Sequence, residues 1–136
     1  MDVKRLAVAI FSVVGVGCAA VPDNDSTEYE NFKNFAMAIC VGSAFFDEAV
    51  KADFNKSASG FMERGNMPLN AYEDLRNLVD RWLNKDYPSK HGGQVNSAKC
   101  FGLVGSQELA QLYDKHDPCD SEEGWLSRES FEESCH

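Results

Sequence analysis

The chain has 136 residues, enough for one domain and too few for two. It is 43% apolar, 26% charged and 11% aromatic, with no glycine period and no sustained heptad, which excludes collagen, coiled coil and bulk disorder. Thirteen Lys and Arg stand against 22 Asp and Glu, for a formal charge of −9, so the basic surface that nucleic acid requires is missing. Five cysteines in so short a chain are unusual, and an odd number needs an explanation.

The N-terminus supplies one. Lys4 and Arg5 precede the uncharged residues 6–17. Twelve residues of helix span about 18 Å, too short for a ~30 Å hydrocarbon core. A basic start, a short apolar run and the small residues Gly17, Cys18, Ala19 and Ala20 make a signal peptide over residues 1–20. The competing reading is a lipoprotein acylated at Cys18, although Gly15 departs from the residue usual three places upstream. Residues 1–20 carry Asp2, Lys4 and Arg5, a net +1, so removing them leaves 116 residues with charge −10 and four cysteines. Four cysteines in an exported chain read as two disulfides, with three possible pairings.

Along the remaining chain, Ser26 or Thr27 can cap a helix whose first turn holds Glu28 and Glu30. Phe32, Phe35, Ala36, Ile39 and Cys40 fall on one face and predict a helix over about 28–44. Residues 47–52 and 54–64 have fair helical spacing, weakened by Asn55, Ser57, Ser59 and Gly60, and predict two short helices or one continuous helix. Gly65-Asn66 is a stop and Pro68 suits a first turn. Tyr72, Leu75, Leu78, Val79, Trp82 and Leu83 then give a strong helical face through about residue 85. Residues 87–94 form a loop, in which Gly92-Gly93 permits positive φ. Asn96 or Ser97 caps a helix with Ala98, Cys100, Phe101 and Val104, and Ser106 caps another with Leu109, Leu112 and Tyr113. An acidic tail, 118–136, ends the chain, and its Trp125, Leu126 and Phe131 predict that it docks. No segment alternates as a half-buried strand does. The expected fold is all-α, a compact bundle of five or six helices stapled by two disulfides.

Catalytic chemistry is thin. A thiol hydrolase would pair a cysteine with His91 or His116, but in an exported chain disulfides compete for every thiol. A zinc site could draw on His116, Cys119, Cys135 and His136; the simpler reading joins Cys119 to Cys135 and closes a loop of ~15 residues, worth ~3 kcal/mol. There is no phosphate loop and no Ca²⁺-loop spacing. The chemistry points to a binding module with no metal and no cofactor.

Four segments, in order, resemble the immunity proteins of type VI secretion amidase effectors. They are Asn34-Phe35-Ala36-Met37-Ala38-Ile39-Cys40, then Ser57-Ala58-Ser59-Gly60-Phe61 with Gly65-Asn66, then residues 83–93 around Tyr87-Pro88-Ser89-Lys90 and Gly92-Gly93, then Asn96-Ser97-Ala98-Lys99-Cys100. The resemblance covers roughly residues 32–115. It implies a periplasmic, all-α, non-catalytic inhibitor of a cysteine amidase that cuts peptidoglycan stem peptides. It also implies a homodimer binding two effectors as a heterotetramer, with no nucleic acid partner and no membrane unless Cys18 is lipidated. The matching cysteines Cys40 and Cys100 would pair, leaving Cys119 with Cys135. The expected domain layout is a signal peptide at 1–20, a helical immunity domain at 21–117 and a disulfide-closed extension at 118–136.

A loop between two strong helices is presented by a rigid scaffold, and its glycines allow close approach to a narrow cleft. The resemblance implies that a protruding loop and helix plug the effector's cleft, which makes Ser89, Lys90, His91, Gly92, Gly93 and Gln94 the first candidate effector contacts; the alternative is a plain solvent loop. Ser57, Ser59, Gly60, Glu63 and Arg64 are the second, unless their small residues serve internal packing instead. The alternatives are an exported small-ligand carrier with an apolar cavity and a secreted hydrolase using His91 or His116. The exported protein should show, by intact mass spectrometry without reduction, the mass of residues 21–136 less four hydrogens. A mass retaining residues 1–20, or an acylated Cys18, would overturn the processing expectation.

Overall fold

The structure, a computed structural model, describes residues 27–120 and 126–135. The expected signal peptide with Cys18, and also Trp125 and His136, lie outside the described residues. Among the described residues six helices follow in order: α1 Glu28–Ala44, α2 Glu48–Arg64, α3 Leu69–Leu83, α4 Asn96–Val104, α5 Gln107–His116 and α6 Arg128–Ser134. No strand occurs among the described residues.

Helix α1 starts where the sequence predicts. Thr27 Oγ1 accepts the Glu30 N–H at 3.2 Å, and the first-turn acids Glu28 and Glu30 face the positive end of the dipole. Helix α2 is continuous rather than two pieces. Asp47 caps it through the Val50 N–H at 3.0 Å, and the hydroxyls of Ser57 and Ser59 turn back onto the carbonyls of Asp53 and Asn55, both at 3.1 Å. Both hydroxyls thus find partners within the helix, an arrangement that a helix accommodates at a small cost. Helix α3 follows Pro68, which occupies the cap position itself, and ends at Leu83, two residues short of the expected boundary. Ser106 caps α5 as expected, accepting the Leu109 N–H at 3.1 Å.

The expected cap of α4 is a different matter. The helix begins at Asn96 with Val95 in the cap position and no side-chain cap. Asn96 instead donates from Nδ2 to the Ala44 carbonyl at 3.0 Å. That carbonyl is one of the orphan acceptors at the C-terminus of α1, so a distant helix end competes successfully for the side chain.

Helix α1 is the centre of the bundle and packs against α2, α3, α4 and α5. Phe32, Phe35, Ala36, Ala38, Ile39, Cys40 and Ala44 on it are all buried. Phe35 meets Tyr72 edge-on, with ring centroids 4.7 Å apart, and Phe32 lies against both Tyr72 and Tyr113. Helix α3 contributes Leu75, Leu78, Val79 and Trp82, while α2 buries only Ala58. A short turn at residues 45–47 sends α2 back along α1, so that Gly42 lies beside Phe54 and Asn55. At the other end Glu28 Oε1 accepts the Asn66 N–H at 2.8 Å. Burial of that carboxyl pushes its pKa up, and the bond from Asn66 partly offsets the rise.

Both disulfides form. Cys40–Cys100 joins α1 to α4 across 60 residues of sequence, with both cysteines fully buried. In the chain-entropy picture such a loop is worth about 4 kcal/mol. Cys119–Cys135 closes the C-terminal segment across 16 residues. Of the side chains expected to dock that segment, Leu126 is half-buried but Phe131 keeps 42% of its surface in water, because α6 packs little against the bundle.

Two polar clusters latch α5 to α3. Glu108 accepts from Trp82 Nε1 and from Lys85 Nζ, the latter at 3.1 Å. Asp74 Oδ2 lies 2.8 Å from Lys115 Nζ and 2.8 Å from Nε2 of the buried His116. Hydrogen bonds from Lys115 and His116 hold the Asp74 pKa below its ordinary value of 3.8. A carboxylate held down in this way adds stability above its ordinary value, and that contribution is lost as pH falls through the lower folded value. With 38% of the Asp74 side chain exposed, screening limits the contribution to less than about 1 kcal/mol. Asp74→Asn should lower the thermal unfolding midpoint slightly at pH 7, with the deficit closing as pH falls below 3.8. A deficit that stays constant down to pH 2 would contradict the assignment.

Candidate functional site: the loop between α3 and α4

The connection from residue 84 to residue 95 is the longest between any two of the first five helices, and both of its ends are tied down. At the outgoing end, Asn84 Nδ2 and the Asn84 N–H both reach the Asp80 carbonyl, at 2.9 and 3.1 Å. Tyr87 packs onto the core beside Trp82 and α4. A Cβ on Gly102 would stand 2.7 Å from Tyr87 Oη and 2.8 Å from Trp82 Cζ3, so only glycine lets both rings settle there. At the returning end, Asn96 holds Ala44 as described above. Lys99 Nζ donates to the Leu83 carbonyl at 2.6 Å and to Gln94 Oε1 at 3.3 Å.

The tip is a turn. The Gly92 N–H donates to the Ser89 carbonyl at 3.2 Å, and the His91 N–H to Ser89 Oγ at 3.3 Å. No non-glycine residue among those described has positive φ, so Lys90 and His91 sit at the centre of a turn that requires none; Ser at its first position and Gly at its fourth suit type I. Gly92 and Gly93 follow with φ of 73° and 78°, a conformation that side chains resist. Nothing lies within 4 Å of where a Cβ would stand on either glycine, so the tip stands clear of the bundle. Lys90, His91, Gly92, Gly93 and Gln94 are exposed, and Ser89 is half-buried because its hydroxyl and carbonyl face inward to build the turn.

Two recesses flank the loop. One of about 300 Å³ lies inside its base, lined by α3-end residues together with Tyr87, Gly93, Gln94 and Lys99. The other, about 590 Å³ and open to solvent, lies between Ala44, Phe45 and Phe46 on one side and residues 94–98 on the other. Phe46 is 93% exposed at its rim.

The second group of expected contacts is not beside the first. Ser57, Ser59, Glu63 and Arg64 are exposed and Gly60 is half-buried, with Arg64 stacked 5.1 Å from the centre of the Phe61 ring. Internal packing uses only Ala58 of that small-residue run, and a Cβ on Gly60 would meet nothing closer than an Arg64 nitrogen at 4.0 Å. Because α2 runs back along α1, the segment reaches toward the Glu28 end, whereas the loop returns at the Ala44 end. The 17 residues of α1 separate those ends by about 25 Å.

Lys99, Asn96, Tyr87 and Phe46 are the residues that the sequence reading leaves out of the site. Lys99, Asn96 and Tyr87 sit inside the family-like segments, which is the one signal that could have raised them. The zinc and thiol readings lose their cysteines. All four described cysteines are in disulfides, so Cys119 and Cys135 offer no thiolate to zinc, and no group of three His, Cys, Asp or Glu among the described residues is placed to hold a metal. His116 is held against Asp74.

The family model for type VI secretion system (T6SS) amidase immunity proteins, Tai4, matches residues 30–113. The chain belongs to this family. The match runs from the first turn of α1 to near the end of α5, and Cys119 and Cys135 lie beyond it. Among solved structures, the chain is similar to the Tae4/Tai4 effector–immunity system of Salmonella typhimurium, with 23% identity over 66% of this chain and 89% of that one, at a TM-score of 0.62. It is similar to the Tae4–Tai4 complex of Enterobacter cloacae, with 21% identity over 68% and 96% and a TM-score of 0.63. It is similar also to the complex of the Salmonella typhimurium effector Tae4 with the Enterobacter cloacae immunity protein Tai4, at 21% identity over 63% and 89%, TM-score 0.59. At these identities the likeness is one of fold. No curated protein matches the chain.

Gly102→Ala tests the loop base of this Tai4 domain. The added methyl must displace Tyr87 or Trp82, so we expect a loss of about 1–3 kcal/mol in urea unfolding, as overpacking costs. An unchanged midpoint would show that the two rings move aside freely.

Proposed function

We propose that the chain is a periplasmic immunity protein that binds a peptidoglycan-cleaving cysteine amidase effector and blocks its active site with residues 89–94. The observation that carries this reading, beside family membership, is a self-bonded turn held clear of the bundle on two anchored stems. A cleft built for an extended peptide is narrow. Gly92 and Gly93 have no side chains to obstruct entry, while Lys90 and His91 can donate to carbonyls or carboxylates inside. A loop that is ordered before it binds loses little conformational freedom on binding, which favours affinity.

The protein acts as an inhibitor rather than a catalyst in this reading. Export by the residue 1–20 signal and the oxidising periplasm fit the two disulfides. We place the exposed face of α2 at Ser57, Ser59, Gly60, Glu63 and Arg64 as a second contact. Since that face lies toward the other end of α1, a homodimer, giving a heterotetramer with two effectors, lets a second copy supply it. We read residues 118–136 as an extension appended to the immunity domain.

The test replaces residues 89–94 with a Gly/Ser linker of equal length and measures inhibition of a cysteine amidase effector of the type VI secretion system by the two proteins. Inhibition should weaken by roughly a hundredfold or more, about 2.7 kcal/mol, with the unfolding midpoint little changed. Full inhibition by the linker variant would overturn the loop assignment, and no inhibition by the natural protein would overturn the function.

A further inference from the structure

Lys99 is the one lysine or arginine buried among the described side chains, with 4% of its surface exposed. Nothing in its own helix requires a charge there. Its neighbours in α4 are the disulfide cysteine Cys100 and the buried Leu103. No carboxylate lies within ion-pair distance of it among the described residues; its two partners are neutral oxygens. A buried ammonium without a counter-charge is a costly choice, and an apolar side chain of the same length commonly serves stability as well or better.

What the ammonium does have is reach in two directions. One bond goes to the carbonyl of Leu83, the last residue of α3 and part of the negative end of its dipole. The other goes to Gln94, the last residue of the candidate loop and two before α4 begins. The residue that leaves α3 and the residue that returns toward α4 are thus held by one atom. The ten residues between them, 84–93, are closed off by a side chain rather than by a backbone bond of either helix.

We propose that Lys99 is a positioning residue: it ties the two stems of the loop so that residues 89–94 are already in their binding shape when a partner arrives. The proposal rests on the reading of that loop as the inhibitory element. It assigns Lys99 no contact with the partner. Its effect is to lower the ordering cost that a free loop would incur on binding.

The test uses the full exported chain with Lys99→Met, which keeps the length and removes the ammonium. Amide exchange over residues 85–94 should accelerate at least severalfold while α1 and α5 stay protected. Inhibition of the amidase should weaken roughly tenfold, and the thermal midpoint should hold or rise. A merely structural lysine gives the opposite pattern: a lower midpoint, unchanged exchange in the loop, and full inhibition by the folded protein. That pattern overturns the proposal.

Gln94→Leu supplies a second arm at an exposed position where folding is not at risk. If Lys99 acts through Gln94, the two substitutions together weaken inhibition by less than the product of their separate effects. Independent, multiplicative effects overturn the coupling. Should the Gly/Ser loop replacement leave inhibition intact, the functional reading fails by itself, and the exchange measurement still decides whether Lys99 orders the loop.

Discussion

Helix α1 is enclosed on nearly every side, and the rest of the domain is arranged by that fact. A helix surrounded by four others needs small residues where backbones come close and large ones where gaps must be filled. Ala36, Ala38, Cys40 and Ala44 provide the first, and Phe32, Phe35 and Ile39 the second. Each end of α1 is also tied to a distant residue, Glu28 to Asn66 before α3 and Ala44 to Asn96 at the start of α4. The second tie matters most for the site. Together with Cys40–Cys100 it fixes where α4 begins, and so where the loop from α3 must return.

Much of this was legible in the residues. The spacing of Phe32, Phe35, Ala36, Ile39 and Cys40 placed α1, because a helix that buries one broad face writes its period into the chain. Ser106 announced α5, because a cap is a local contact over three residues. The loop was legible as a loop, since Pro88 and the paired glycines cannot continue α3. What could not be read were contacts between residues far apart in sequence. Asn96 looks like a local cap, and its partner is 52 residues upstream. Lys99 is likewise buried with partners 5 and 16 residues upstream, which no local pattern announces. The small residues of α2 suggested close packing, yet most of them face water, because only Ala58 points to α1.

The site consequently divides into parts of different character. Lys90 and His91 carry the side-chain chemistry at the tip. Ser89, Gly92 and Gly93 shape the backbone on which they stand. Tyr87, Gly102, Asn96 and Lys99 belong to the scaffold below. The apolar rim at Phe46 lies beside the returning stem, and the outer face of α2 is elsewhere along α1. Among the described residues after α5, helix α6 packs little against the bundle, and Cys119 and Cys135 lie beyond the family match.

The Cys40–Cys100 bond ties the strength of the scaffold to the oxidation state of its thiols. A domain of this size has a total stability of about 5–15 kcal/mol, so a single bond worth about 4 kcal/mol is a large share of it. Before oxidation, α4 is held to α1 by packing and by Asn96 alone, and the foundation of the loop is correspondingly weaker. Maturation is thereby coupled to the thiol–disulfide balance of the surroundings. A newly made chain in a reducing compartment is a less stable precursor, and the finished scaffold belongs to the compartment where thiols are oxidised.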